Sequence, residues 1–435
     1  MNRLNWLGKV PERWNVLKLR QILTPFSEKN HPNMPLLSVV REKGVIIRNI
    51  EDKEENHNYV PDDLSGYKLV KKGQFAMNKM KAWQGSYGIS KYDGIVSPAY
   101  FVFDINHNMN KDFFNLAIRS KVYVNYFGQA SDGIRVGQWD LSMKRMKEIP
   151  FFLPPRSEQD QIVKFLDWKV SCINKLIGIK KKEIQCLYSA KVSNIKEIID
   201  DFKCNCRLKN IAKSYGRIGF RGYSAEDLVE KGQGVITASP SNISDKGMDF
   251  KKCSYLSWEK YEESPEIQLK KNDILIVKTG SSYGKTGFID SLPMECTINP
   301  QLLIIRPNSY KVIPEYLFYS IKYGSIQGQI NKGIIGSTIP TISESRIMSY
   351  SLGIPELGIQ QKRLERIKRL EYQYNKLISS YKNSIIELNN LKIGLVSNVV
   401  TGKIDVRNIE IPEYEFVEDE TDDIVAVSEN EEETE

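Results

Sequence analysis

The sharpest chemical feature of the sequence is Gly280-Ser281-Ser282-Tyr283-Gly284-Lys285-Thr286. A Gly-rich run ending in Lys-Thr is the pattern of a loop that wraps a nucleotide phosphate, with backbone N–H groups and the ammonium holding the anion. Here three residues separate the glycines instead of four. A shorter loop does not arrange the same nest of N–H groups. The run reads better as a surface loop whose glycines let backbone approach a polyanion, with Lys, Ser and Thr on phosphates. The three histidines, His31, His57 and His107, have no metal-ligand spacing. The six cysteines (172, 186, 204, 206, 253 and 296) are scattered, and Cys204-Asn205-Cys206 is too close for a CxxC site. All six read as reduced thiols. No nucleophile–base pairing stands out. The expectation is a chain with no catalytic residue, no metal site and no cofactor of its own.

Charge points to a partner. The chain has 62 basic and 54 acidic residues in 435. Thirteen of the acids fall in residues 408–435, which contain no Lys or Arg, so residues 1–407 carry +21. A body that basic concentrates phosphates and releases their counterions. The acidic end, 408–435, reads as a disordered tail. With 41% hydrophobic and 10% aromatic residues the rest can bury real cores. No stretch reaches the roughly 20 apolar residues of a membrane span, and Met1–Pro11 has no signal-peptide pattern.

The elements that must position such a loop occur twice. Ser86-Tyr87-Gly88 returns as Ser282-Tyr283-Gly284, and Val96-Ser97-Pro98 as Ile298-Asn299-Pro300. Phe113–Leu116 returns as Glu315–Phe318, and Pro154–Gln159 loosely as Pro355–Gln361, all at offsets of 196 to 202. So long a repeat indicates a duplication. Each copy opens with about 150 residues of short apolar runs broken by turn pairs, as in a β-rich domain. Each closes with a proline-free helix. One carries Ile162, Leu166, Val170, Ile173, Ile177, Ile184, Leu187, Ile195 and Ile198 at helical spacing. The other carries Leu364, Ile367, Leu370, Tyr374, Leu377, Tyr381, Ile385, Leu388, Leu391 and Leu395. Narrow apolar stripes on helices this long predict an antiparallel coiled coil. The fold class is therefore mixed α/β (α+β). Two similar β-rich domains are joined by two long antiparallel helices, with a pseudo-two-fold internal duplication. The boundaries fall at 1–155, 156–200 (helix), 201–355, 356–407 (helix) and 408–435.

Several motifs resemble those of one family, the specificity subunits of type I restriction–modification systems. They are Trp6–Trp14, Asn78–Gly85, Asp93–Tyr100, Leu153–Ile162 and Val399–Asp405. Copy two departs at the start of its helix, where Gly358-Ile359-Gln360 replaces the Pro-rich form. The resemblance covers residues 1–407. It implies that the β-rich domains are target recognition domains, each reading half of a bipartite duplex DNA site. It also implies a non-catalytic chain in the bacterial or archaeal cytoplasm, at the nucleoid. Its partners would be two adenine-N6 methyltransferase subunits and restriction/translocase subunits. S-adenosylmethionine, ATP and magnesium would belong to those partners. The alternatives are a standalone DNA methyltransferase, a structural coiled-coil scaffold and an RNA binder. The first lacks the Asn/Asp-Pro-Pro-Tyr/Phe tetrapeptide that holds a flipped adenine; Ser97-Pro98-Ala99-Tyr100 and Asn299-Pro300-Gln301 have only one proline. The basic body argues against the second.

Base edges and phosphates are taken by Arg, Lys, Asn, Gln, Ser and Thr. In copy one the candidate DNA contacts are Lys79, Lys81, Gln84, Ser86, Tyr87, Arg135 and Gln138. In copy two they are Arg217, Arg221, Lys278, Thr279, Ser281, Ser282, Lys285 and Lys332. Trp83 and Trp139 read as core or loop anchors.

Overall fold

The computed structural model describes residues 10–41, 43–48, 60–133, 139–217, 222–244, 247–332 and 341–418. Backbone contacts divide the chain into two units, residues 1–181 with 382–435, and residues 182–381.

The first unit is built on an antiparallel four-stranded sheet in the order Leu23–Phe26, Tyr100–Ile105, Phe75–Asn78, Tyr87–Ile89. Phe75–Asn78 is buried along its whole length, so Phe75, Ala76 and Met77 run apolar in succession without the alternation of a half-exposed strand. Phe75 sits among Tyr87, Phe103 and Phe114, with ring centroids 5.5–6.1 Å away. Helices Lys111–Ile118 and Lys121–Gln129 contribute Phe113, Phe114 and Phe127 to that core. Asn110 starts the first of these by accepting from the N–H groups of Asp112 and Phe113.

The second unit repeats the plan. Its sheet runs Ala212–Gly216, Leu302–Pro307, Ile274–Val277, Thr286–Phe288. A second four-stranded sheet beside it contains a parallel pair, Val235–Ala238 with Cys296–Ile298. Both units also close on one short antiparallel pair. Asn15–Lys18 lies on Pro150–Leu153 in the first, and Cys206–Arg207 on Ser351–Leu352 in the second.

The strand ladders correct the repeat register read from sequence. Met77 faces Tyr87, and Ile276 faces Thr286. The Asn78 N–H donates to the Ser86 carbonyl as the Val277 N–H does to that of Lys285. Ser86 and Tyr87 therefore correspond to Lys285 and Thr286, not to Ser282 and Tyr283. The shared Ser-Tyr-Gly letters misled because one triplet is strand and the other is turn.

The long helices are Arg156–Asp200 and Leu357–Val400. Within the first unit Ile162, Phe165 and Leu166 share a core with Leu395, Val396, Val399 and Val400. There the Lys392 ammonium also donates to the Asn174 side chain. Within the second, Ile195, Ile198 and Ile199 pack with Leu364 and Ile367, and Asn194 donates to the Tyr374 hydroxyl (2.7 Å). Rising numbers on one helix meet falling numbers on the other in each unit, so the pairing is antiparallel.

One buried glutamine fixes each helix to its domain. Gln159 accepts from the Asn110 N–H (2.8 Å) and donates to the Pro154 carbonyl (2.8 Å). Gln360 accepts from the Ile313 N–H (2.8 Å) and donates to the Pro355 carbonyl (2.7 Å). Copy two thus keeps the joint although its surrounding letters diverge. Replacing either glutamine with leucine orphans a donor and an acceptor. The expected loss is about 1–3 kcal/mol, measurable as a lower denaturant midpoint with an unchanged slope.

The chain ends close on the first unit. Arg13 grips Glu158 with two hydrogen bonds (2.7 and 3.0 Å). Gly402 has φ +73°, and a Cβ there would come 2.6 Å from Pro11 and 3.2 Å from Trp14. Hydrogen bonds from Arg407 hold the Asp405 carboxyl down at about 2. Residues 408–418, expected to be disordered, instead run along the first long helix. Gln161 donates to the Val406 and Ile409 carbonyls, and Asn174 to that of Val417. Their backbone groups find side-chain partners on the helix, which charge composition does not reveal. The rest of the acidic tail, 419–435, lies outside the described residues. Among the described residues no helix is long and apolar enough to cross a membrane.

Candidate nucleic-acid interface

In the second unit, strand Ile274–Val277 runs into the turn 278–285 and returns as Thr286–Phe288. Gly280 (φ +107°) and Gly284 (φ +80°) take backbone shapes that L side chains rarely adopt. A Cβ at Gly284 would also come 3.0 Å from Ile330. The N–H groups of Tyr283, Gly284 and Lys285 donate to the carbonyls of Gly280, Val277 and Ser282. Those three amides are spent on the turn itself and do not converge on an anion. The turn is clasped from outside, where the Ile342 N–H donates to the Lys278 carbonyl (3.0 Å) and Thr279 bridges Thr341.

What the turn offers to solvent is side chains. Ser281 and Lys285 are exposed; Lys278, Thr279 and Ser282 are half-buried. Among the described residues no carboxylate pairs with Lys278 or Lys285. Arg217 is different. It is 6% exposed and donates to the Ile298 carbonyl (3.1 Å) and the Thr297 hydroxyl (3.2 Å). It fastens one strand end to another and is withdrawn as a DNA contact. Lys332 ends helix Ser325–Lys332, with its side chain outside the described residues, and Arg221 lies outside them altogether.

The first unit has the same clasp, with the Leu141 N–H donating to the Lys79 carbonyl (3.1 Å). There the Lys79 ammonium is paired with Asp140 (2.8 Å). Lys81 is exposed and Gln84 half-buried. Trp83 and Trp139 pack at 5.1 Å between ring centroids, as loop anchors. Ser86 and Tyr87 are withdrawn. Both are buried, Tyr87 to 0% exposure, and burial pushes its phenol pKa upward. Arg135 and Gln138 lie outside the described residues.

Next to the second unit's turn opens a cavity of about 720 Å³. Lys209, Lys213, Ser214, Ser343, Glu344 and Ser345 are among the residues that line it. Sequence reading passed over these residues, because isolated Lys and Ser in strands and short helices carry no local signature. For Lys213 the sequence signal that could have found it is the change of type from copy one, where Thr24 stands. Lys213 pairs with Arg306 across the ladder as Thr24 pairs with Asp104. Among the described residues no group of three or more His, Cys, Asp and Glu could hold a metal ion.

A family profile described as type I restriction modification DNA specificity domain matches residues 11–185 and again 191–387. The MjaVIII type I restriction enzyme specificity subunit of Methanocaldococcus jannaschii is 25% identical over 284 residues, 61% of this chain and 64% of that one. A putative MjaX specificity subunit from the same organism is 23% identical over 433 residues, covering 92% of this chain and 96% of its own. Among solved structures, one described as the structural basis of complex assembly and conformational transition of the type I R-M system superposes with a TM-score of 0.60. It is 14% identical and covers 91% of this chain and 100% of its own, which is a likeness of fold.

Proposed function

The chain belongs to the type I restriction–modification DNA specificity family, and from that premise we propose that each unit reads one half of a bipartite duplex DNA target without itself making or breaking bonds. One observation carries the reading. The same clasped strand–turn–strand frame occurs in both units, while the side chains it presents differ. Lys81 and Gln84 in one stand where Gly280 and Tyr283 stand in the other, and Ser281 and Ser282 take the places of the buried Ala82 and the anchor Trp83. A shared frame with divergent exposed groups suits two readers of different sequences. The partners are modification and restriction/translocase subunits. S-adenosylmethionine, ATP and magnesium act on those subunits, in the cytoplasm beside the genome. Lys81, Gln84, Lys278, Thr279, Ser281, Ser282 and Lys285 are the contacts favoured here, with Lys79 available once it leaves Asp140.

The test is duplex binding by the chain with its modification subunit across a salt series. About 6–10 phosphate contacts lower affinity by roughly 10³–10⁵ between 50 and 200 mM salt. Lys278→Ala and Lys285→Ala are each expected to reduce the salt slope by about one. Tyr87→Phe should leave the slope unchanged. A flat salt response, or tighter binding of RNA than of duplex DNA, would refute the reading.

A further inference from the structure

The geometry points to Glu344 as a base-reading residue of the second unit, accepting a hydrogen bond from the exocyclic amino group of cytosine or adenine. Lys209 and Lys213 flank it on the phosphates. This rests on the reading of the chain as a DNA-recognition subunit.

Glu344 lines the 720 Å³ cavity with Lys209, Lys213, Ser214, Ser343 and Ser345. It stands beside the candidate turn. A Cβ added at Gly216 would be 3.3 Å from the Lys278 ammonium and 3.7 Å from a Glu344 carboxylate oxygen. The backbone just before it is the clasp itself, where Ile342 donates to Lys278. Glu344, Lys209 and Lys213 are exposed, and none of them has an ion-pair partner among the described residues. A groove lined by two lysines without ion-pair partners among the described residues and by the hydroxyls of Ser214, Ser343 and Ser345 suits a phosphodiester backbone.

A carboxylate in such a groove is unfavourable beside phosphates unless something donates to it. In the major groove the available donors are the amino groups of cytosine and adenine, and a carboxylate is the usual acceptor for the former. The duplication supplies an independent argument. Two domains that fold alike and read different bases must agree where they pack and differ where they touch DNA. The Leu19 N–H donates to Ile149 as the Leu208 N–H does to Tyr350. With the matching clasps at Leu141 and Ile342, this sets Glu344 against Met143 and Lys209 against Arg20. The frame agrees, and at this position a carboxylate replaces a thioether.

The experiment is sequencing of the methylated sites produced by the chain assembled with its modification subunit, for wild type, Glu344→Ala, Glu344→Gln and Lys213→Ala. Glu344→Ala is expected to relax one position of one half-site, with discrimination there falling about 5- to 150-fold. An amide pairs best with adenine. Glu344→Gln should therefore move a cytosine position toward adenine, or keep an adenine position as adenine, which tells the two bases apart. Lys213→Ala should weaken binding to all duplexes alike with the motif unchanged. If Glu344→Ala and Glu344→Gln both keep the wild-type motif at every position, whether or not overall affinity rises, the assignment is wrong. Failure of the wild type to bind duplex DNA in a salt-dependent way would instead refute the underlying reading.

Discussion

A chimera that takes residues 208–350 from another member of the family is expected to change one half of the methylated target completely and leave the other as it was. The cut points follow from the backbone. Cys206–Arg207 pairs with Ser351–Leu352, and just outside them Asn205 exchanges two hydrogen bonds with Ile354 (2.8 and 3.0 Å). The transplant thus begins and ends beside one strand pair that the recipient keeps. The helix joint survives as well, because Gln360 accepts from a backbone N–H, that of Ile313, which any sequence but proline supplies. Side-chain contacts cross the cut as well: Gln329 exchanges hydrogen bonds with the Ser351 backbone (2.8 and 3.2 Å), the Asp200 carboxylate accepts from the Ser325 N–H (3.1 Å), and on the second long helix Tyr319 meets Glu371 (2.5 Å) and Glu315 meets Lys368 (2.5 Å). Those helix positions should be matched to the donor. Sequencing of methylated DNA reads both half-sites together. A change in both would mean that the units do not read independently.

Arg306→Met is expected to destabilise the second unit by about 3–5 kcal/mol, as breaking one side of a buried ion pair does. Asp273 is 1% exposed and receives two hydrogen bonds from Arg306 (2.8 and 2.7 Å). Arg306 also donates to the Gln268 carbonyl (3.0 Å) and lies over the Tyr215 ring. Removing the guanidinium leaves a charge in the core with the Lys270 N–H as its remaining donor among the described residues. The first unit shows a neutral–acidic version of the same joint. Gln74 donates to Asp104 (2.8 Å) at the positions matching Asp273 and Arg306. The double variant Asp273→Gln with Arg306→Asp should therefore recover much of the loss. Urea unfolding measures both, and a loss below about 1 kcal/mol for the single variant would show that the pair is not needed.

The long helices and the duplication were legible because both are long-range patterns. A stripe such as Ile162, Leu166, Ile173, Ile177 repeats often enough to outweigh local accidents, and all four are buried. The middle of the stripe is weaker; Ile184 and Leu187 are only half-buried. The contact residues were harder. Tyr87 and Arg217 are amphipathic side chains that serve a surface or a core equally well. Only the ladder opposite Met77 and the carbonyl of Ile298 decide that these two face inward. Lys209, Lys213 and Glu344 escaped because they lie far apart in sequence and meet only through strand pairing and the clasp at Ile342.

The closure of the first unit has a consequence for how the chain is made. Its core needs Val399, Val400 and Val406 beside Trp14 and Ile162, and Gly402 must seat against Pro11 and Trp14. Between the two parts of that unit lie the 200 residues of the second, 182–381. At about 5–20 residues per second on the ribosome, the amino-terminal part waits roughly 10–40 s for its closing piece. The second unit is contiguous and can complete itself during that time. The half synthesised first is thus the half finished last. Its waiting apolar face around Trp14, Ile162 and Leu166 is where a nascent chain of this protein has most need of a chaperone.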